Sequence, residues 1–264
     1  MGHHPGIMMR PKIFLSVVVL SGPLPIGAQI VLTGTSYLQD FANLSTGLPT
    51  GWSVRKDASA TSLGSAQEFT PAAVSWTDTI GAFKNLASAT GMTGGESTVA
   101  QGISVDRALG IRQGGTFGGD PGAAFAININ TTGLTLISLS IDIMMLSVQA
   151  RSTDWTIDYG LGMSPASFAP LGTYPDPGIF GTVTFAAGGA SLGNMDNQSD
   201  VWIRIVALEA TSGSGSRDTM AIDNVHLVYS PVPEIATCGL LTGLAAFAWM
   251  AVHRGRRPRR ICSQ

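Results

Sequence analysis

Side-chain catalysis needs a nucleophile beside a base, and this chain offers little material for one. Between Gln29 and Tyr229 it has one histidine, His226, and no cysteine. A Ser-His-Asp or Cys-His site would have to be built on His226. That residue lies in the alternating run Met220–Tyr229, where a solvent-facing strand histidine is the simpler role. Zinc sites of the His/Cys type lack ligands by count. No phosphate-binding glycine loop opens a helix. Paired carboxylates for glycoside hydrolysis must face each other across a cleft. Glu68, Glu96 and Glu209 show no such pairing along the chain, so a hydrolase is the last of three readings.

Two chemistries have more support. Oxygen ligands for a hard cation come from carboxylates in flexible loops. Asp196 and Asp200, in the run Asp196-Asn-Gln-Ser-Asp200, and Asp223 beside Asn224 are the candidates for a structural calcium ion. The competing role for such residues is to cap their own turns. A sugar platform would use tryptophan or tyrosine rings at an exposed rim. Trp155 and Trp202 fall inside alternating apolar runs and are assigned to the core. Trp76 and Tyr174 flank loops and are the candidates for glycan contact.

The elements that would position these groups read as strands. Ala124–Ile129, Leu134–Ile143, Trp155–Tyr159, Val201–Leu208 and Met220–Tyr229 are apolar or alternating, and no segment of the body keeps a helical period over three turns. The alternation of Leu134–Ile143 slips phase at Ile137-Ser138, which predicts a bulge. Gly118-Gly-Asp-Pro-Gly122, Pro175-Asp-Pro-Gly178 and Gly213-Ser-Gly-Ser216 suit tight turns. The body, 29–229, is therefore expected to be one all-β, jelly-roll-like β-sandwich.

The body also resembles jelly-roll modules of bacterial surface and secreted proteins. The matching patches are Asp40-Phe41 through Leu48-Pro-Thr-Gly-Trp52, and Asp106–Ile111 with Gly122–Phe125 and Asn130-Thr-Thr-Gly133. Trp155-Thr-Ile-Asp-Tyr159 and Arg217–Val225 complete the set. Such modules serve many roles, so this resemblance implies a fold and no function.

Charge is distributed unevenly. The body holds 8 basic and 16 acidic residues, a net charge of −8. A surface of that sign does not hold phosphate backbones, so nucleic acid is excluded as a partner. At the N-terminus, Arg10 and Lys12 precede the apolar run Ile13–Leu20, Pro23, Pro25 and the small pair Gly27-Ala28. This reads as a signal peptide over 1–28, cleaved after Ala28, which implies passage through a secretion translocon. At the C-terminus, Val232-Pro233-Glu234 precedes an uncharged run of 18 residues, 235–252. At about 1.5 Å per residue that run comes close to the thickness of a hydrocarbon core. Arg254, Arg256, Arg257, Arg259 and Arg260 follow and place that end in the cytoplasm.

The tail, 230–264, resembles the PEP-CTERM sorting signal of bacterial exosortase substrates. Val232, Pro233 and Glu234 match the motif, the run 235–252 the transmembrane helix, and the arginines the basic end. Ile235 stands where that family usually has a second proline. The resemblance implies an exosortase-type membrane protease as partner and delivery to the cell surface or the extracellular polysaccharide matrix. The leading expectation is an exported, non-enzymatic surface or matrix protein. A carbohydrate-binding adhesion module is the alternative.

Overall fold

The structure is a computed structural model that describes residues 1–2, 28–114 and 117–232. The expected signal peptide, the transmembrane run and most of the sorting motif lie outside the described residues. Among the described residues no helix is long and apolar enough to cross a membrane.

The chain forms β1 (Ile30–Val31), β2 (Ser36–Gln39), β3 (Trp52–Lys56), β4 (Ser65–Gln67), β5 (Thr70–Ala73) and β6 (Ala82–Ala87). After helix α1 (Thr98–Ile103) come β7 (Arg107–Arg112), β8 (Ala124–Asn130), β9 (Leu134–Ser147), β10 (Arg151–Ser152), β11 (Trp155–Leu161) and β12 (Ala169–Tyr174). β13 (Gly181–Gly188), β14 (Val201–Val206), β15 (Ser212–Gly213) and β16 (Thr219–Pro231) complete the body. One seven-stranded sheet runs β12-β11-β14-β8-β3-β4, with β1 also on β8. The other runs β13-β9-β16-β7-β6-β5, with β2 also on β16. β10 and β15 form a separate ribbon. The fold is an all-β sandwich.

Alternation places the core between the sheets. Phe125, Ile127 and Ile129 of β8, Ile203 and Ile205 of β14, and Trp155, Ile157 and Tyr159 of β11 face inward from the first sheet. They meet Leu139, Ile141 and Ile143 of β9 and Ile222, Val225, Leu227 and Tyr229 of β16. Phe125 stacks on Trp155 with ring centroids 5.9 Å apart, and Phe41 meets Trp52 edge-on at 4.9 Å. The predicted bulge is present. Val228 pairs with Ser138 but Tyr229 pairs with Leu136, so Ile137 is skipped and points outward.

Each sheet is also covered on part of its outer face. Segments 74–81 and 88–105, on either side of β6, fold over β6, β7, β9 and β16 and complete a second apolar cluster of Trp76, Leu86, Ala87, Ala89, Ala108, Met144, Leu146 and Ala221. On the other sheet, Arg204 is fully buried. It makes a two-pronged bond to Asp158 (2.9 and 2.7 Å) and donates to the carbonyls of Ser59 and Ser62. The Phe168 ring lies 3.2 Å from its guanidinium carbon. A Cβ at Gly160 would come within 2.6 Å of Pro165, so loop 162–168 requires glycine beneath it.

The C-terminal strand carries the body up to the tripeptide that resembles a sorting motif. Pro231 pairs with Leu134, and Val232 N–H donates to Gly133 O at 2.8 Å. No spacer separates the sandwich from Val232-Pro233-Glu234.

Candidate functional site

An open cleft of about 600 Å³ lies at the β5 edge of the second sheet, lined by Asn43, Ser45, Pro71, Asn85, Ser104, Val105 and Arg107 among others. Its floor follows from the local sequence. Ser97 caps the short helix α1, its Oγ accepting from Ala100 N–H at 3.1 Å. The cap sets Gln101 on the buried side, where Oε1 accepts from Trp76 N–H (2.8 Å) and Nε2 donates to Glu96 O (2.9 Å). Arg107, 5% exposed, then reaches back under the helix. Its Nε donates to Asn85 Oδ1 (2.7 Å), Nη2 to Asn85 O (2.9 Å), and Nη1 to Gln101 O (2.8 Å) and Ser104 O (3.4 Å). Asn85 Nδ2 in turn donates to Pro71 O (2.7 Å), which fastens the edge strand to the same network.

The electrostatics of this floor are unusual. All four acceptors of Arg107 are neutral oxygens, and four bonds leave one of its five N–H groups without an acceptor among the described residues. Burial pushes its pKa down and Asp106 pushes back, yet a guanidinium stays charged. A buried cation without a bonded carboxylate is costly, and an anion in the cleft would offset that cost. The walls supply the amide of Asn43 and the hydroxyl of Ser45, which both donate and accept, and the Ser104 oxygen, which only accepts, because its hydrogen goes to Asp106 O (2.9 Å). Val105, 86% exposed, adds an apolar rim.

A second open cleft of about 480 Å³ lies at the far end of the first sheet, lined by Tyr159, Leu161, Ser167, Asn194 and Gln198 among others. Asn194 Nδ2 donates to Tyr159 OH at 3.1 Å.

The residues singled out from sequence fall elsewhere. Trp76 and Tyr174, expected at exposed rims, are 1% and 4% exposed. Trp76 is sealed against β6 and segment 88–105, its ring nitrogen donating to Ala87 O (2.8 Å) and its ring against Phe180. Tyr174 belongs to the central core. Neither ring can stack on a sugar. Trp155 is in the core as expected. Trp202 is buried on the opposite, outer face under the Arg55 guanidinium, 4.8 Å from the ring centre.

The calcium candidates are not gathered. Asp196 Oδ1 accepts from Leu136 N–H (2.7 Å), and Asp200 Oδ1 accepts from Gln29 Nε2 (3.1 Å). Asp223 stands opposite Asp142 on β9, six residues along that strand from Leu136, or roughly 20 Å. Among the described residues no group of three His, Cys, Asp or Glu side chains could hold a metal ion. His226 is half-buried on an outer face, paired with Leu38 and Ser140. Of the expected motif Val232-Pro233-Glu234, only Val232 lies among the described residues.

Sequence reasoning missed the Arg107 cleft, because nothing local marks an arginine whose partners come from β6 and α1. It also missed a Gly-x-Ser-x-Gly pattern, Gly189-Ala-Ser-Leu-Gly193. That stretch forms 3₁₀ turns and opens no α-helix, and Ser191 Oγ donates to Gly188 O (2.9 Å). It lacks the strand-to-helix geometry of a nucleophile elbow.

No family model and no curated protein matches the chain. Among solved structures it is similar to the K3 cleaved adhesin domain of Lys-gingipain from Porphyromonas gingivalis (12% identity, TM-score 0.41, covering 73% of this chain and 97% of that one). It is similar to the xylan-binding domain from CBM 22 (11%, 0.37, 74% and 94%). It is similar also to a cyclase from Fischerella sp. (10%, 0.39, 75% and 98%). Likeness this low leaves the fold resting on the chain's own strands and the function on its own side chains.

Proposed function

We propose that this chain is an exported, non-catalytic surface or matrix protein whose jelly-roll-like sandwich holds extracellular polysaccharide in the Arg107 cleft. One observation carries the reading: neutral groups that both donate and accept surround a buried guanidinium with a free N–H. Hydroxyl-rich ligands match such walls, and a sugar carboxylate matches the floor. The ligand class is therefore a polysaccharide with spaced carboxylates, one of which meets the single localised charge of Arg107, in a body whose net charge of −8 does not hold a densely charged phosphate backbone. The volume lies in the range of small-ligand sites, enough for one or two sugar rings of a longer chain.

The two ends of the chain supply the location. Residues 1–28 export the protein, and the run 235–252 with its arginines holds it until an exosortase-type protease acts near Pro233-Glu234. The position of Val232, one residue after the last paired strand position, supports this reading. In sequence the motif then follows the last strand without an intervening segment. Electrophoresis of the full chain through gels containing uronate-rich or neutral polysaccharide tests the function. Retardation in the acidic gel alone is expected; equal mobility in both gels would refute the reading.

A further inference from the structure

Sheet edges are places where a protein must prevent or permit strand addition, because unpaired N–H and C=O groups there accept another chain. This sandwich blunts three of its four terminal strands. β4 has three residues. β5 carries Pro71 and shifts register between Thr70 and Ala73. β12 carries Pro170, and its ladder to β11 shifts between Ile157 and Asp158. The short strands added beside the main paths, β1 and β2, have two and four residues.

β13 has none of these defences. It runs eight residues, Gly181-Thr-Val-Thr-Phe-Ala-Ala-Gly188, in unbroken register with β9 from Gly181 opposite Met145 to Gly188 opposite Ser138. Among the described residues its backbone ladder goes to β9 alone. It contains no proline, and no charged residue occurs from Pro177 to Met195.

We propose that β13 is a homotypic interface, on which β13 of a second copy pairs antiparallel about a two-fold axis to join two sheets into one. The side-chain pattern fixes the register. A two-fold perpendicular to the sheet keeps each face continuous, so opposed residues must lie on the same face. Phe185 and Ala187 pack toward the core, which puts Val183 on that face and Thr182, Thr184 and Ala186 on the other. Val183 is nevertheless 50% exposed, an apolar residue on the core side with no cover. An axis through Thr184 sets Val183 opposite Phe185 of the second copy and Thr182 opposite its Ala186. Thr184 then faces its own counterpart. Aromatic to β-branched and Thr–Thr pairs are favourable cross-strand combinations. The absence of charge means that self-pairing opposes no like charges. Three blunted edges leave this one as the edge at which two copies can join.

The test uses the full chain in detergent, with Cys238 and Cys262 changed to Ser so that an introduced thiol stands alone. Directly opposed Cα atoms in an antiparallel pair lie within disulfide reach. Thr184→Cys is therefore expected to form a disulfide-linked dimer under mild oxidation, and Thr182→Cys, which faces Ala186, is not. Sedimentation of the unaltered chain is expected to give a dimer, and Val183→Lys a monomer. A monomeric unaltered chain, a dimeric Val183→Lys variant, or equal cross-linking at both cysteines would overturn the proposal.

Discussion

Asp223 of β16 lies directly opposite Asp142 of β9, on the outer face of the second sheet. Asp142 is served: Thr184 Oγ1 donates to Oδ1 at 2.6 Å and Asn224 Nδ2 to Oδ2 at 3.0 Å. Asp223 accepts Asn224 N–H at Oδ1 (2.7 Å), while its buried Oδ2 has no partner. Burial, with Asp106 and Asp142 adding repulsion, pushes its pKa up to about 7.

That relationship makes stability depend on pH in a defined direction. A carboxyl with a raised folded pKa keeps its proton in the native state while the unfolded chain, with the ordinary value of 3.8, releases it. The folded form then binds more protons between those values, so stability falls as pH rises from about 4 to about 7. Asp218, pushed up to about 6 mainly by burial, adds in the same sense over a narrower window. Asp223→Asn is expected to stabilise the protein at pH 8, by no more than about 4 kcal/mol at roughly 1.4 kcal/mol per pKa unit, and to flatten the profile. Thermal melts of both forms at pH 5 and pH 8 check this; a parent protein more stable at pH 8 than at pH 5 contradicts it.

The Arg204–Asp158 pair makes the opposite kind of prediction. Both groups are buried, and Arg204 also ties down Ser59 and Ser62. Asp158→Ala leaves the guanidinium charged and without its carboxylate. Such a loss costs about 3–5 kcal/mol. Urea denaturation is expected to show it as a lower midpoint with an unchanged slope. Arg55→Ala, which removes an arginine stacked on Trp202 and bonded to Ser53 Oγ and Gly64 O (both 3.0 Å) but leaves no buried charge unpaired, is expected to cost less.

Asp120 joins three loops. Its Oδ1 accepts from Thr211 N–H (2.7 Å), and its Oδ2 from Thr211 Oγ1 (2.7 Å), Arg217 Nε and Arg151 Nη2 (3.4 Å). Burial opposes ionisation there, but the Thr211 and Arg217 contacts outweigh it and hold the carboxyl below its ordinary value. Asp120→Ala is expected to speed amide exchange in 118–123 and 211–217 while leaving β8, β14 and β16 protected. Uniform loss of protection across the sandwich would show that the contact serves the whole fold.

Much of the sandwich was legible because its central strands bury one face and expose or cover the other with a period of two. β8, β9, β11, β14 and β16 follow from that pattern, and even the skipped Ile137 shows as a phase slip. β13 was not legible: its mixture of threonine, alanine and glycine has weak alternation, and its register is set by β9. Trp76 misleads because the segments that bury it are remote from any strand pattern, whereas Trp202 is buried as expected but on the outer face. Local pattern reports one buried face per strand, whereas segments 57–64, 74–81, 88–105 and 162–168 fold over the outer faces and bury side chains there as well. The Arg107 cleft depends on contacts between residues more than twenty positions apart, which no window along the chain can display.

Removal of 233–264 keeps every described strand, including the Val232–Gly133 bond. The truncated chain is expected to melt at the same temperature as the full one and to leave the membrane fraction of cells for the medium or the periplasm. Retention at the membrane would contradict the role given to the tail.

The central claim is that the Arg107 cleft binds an acidic sugar. Ser45 lies exposed on its wall, away from the Arg107 network, so Ser45→Trp fills the cleft while keeping the floor. Titration calorimetry with uronate oligosaccharides on both proteins is the most direct measurement. Binding by the parent that weakens with added salt and falls at least tenfold in Ser45→Trp is the predicted result. Equal binding by the two proteins, or a preference for neutral oligosaccharides of the same length, would contradict the account.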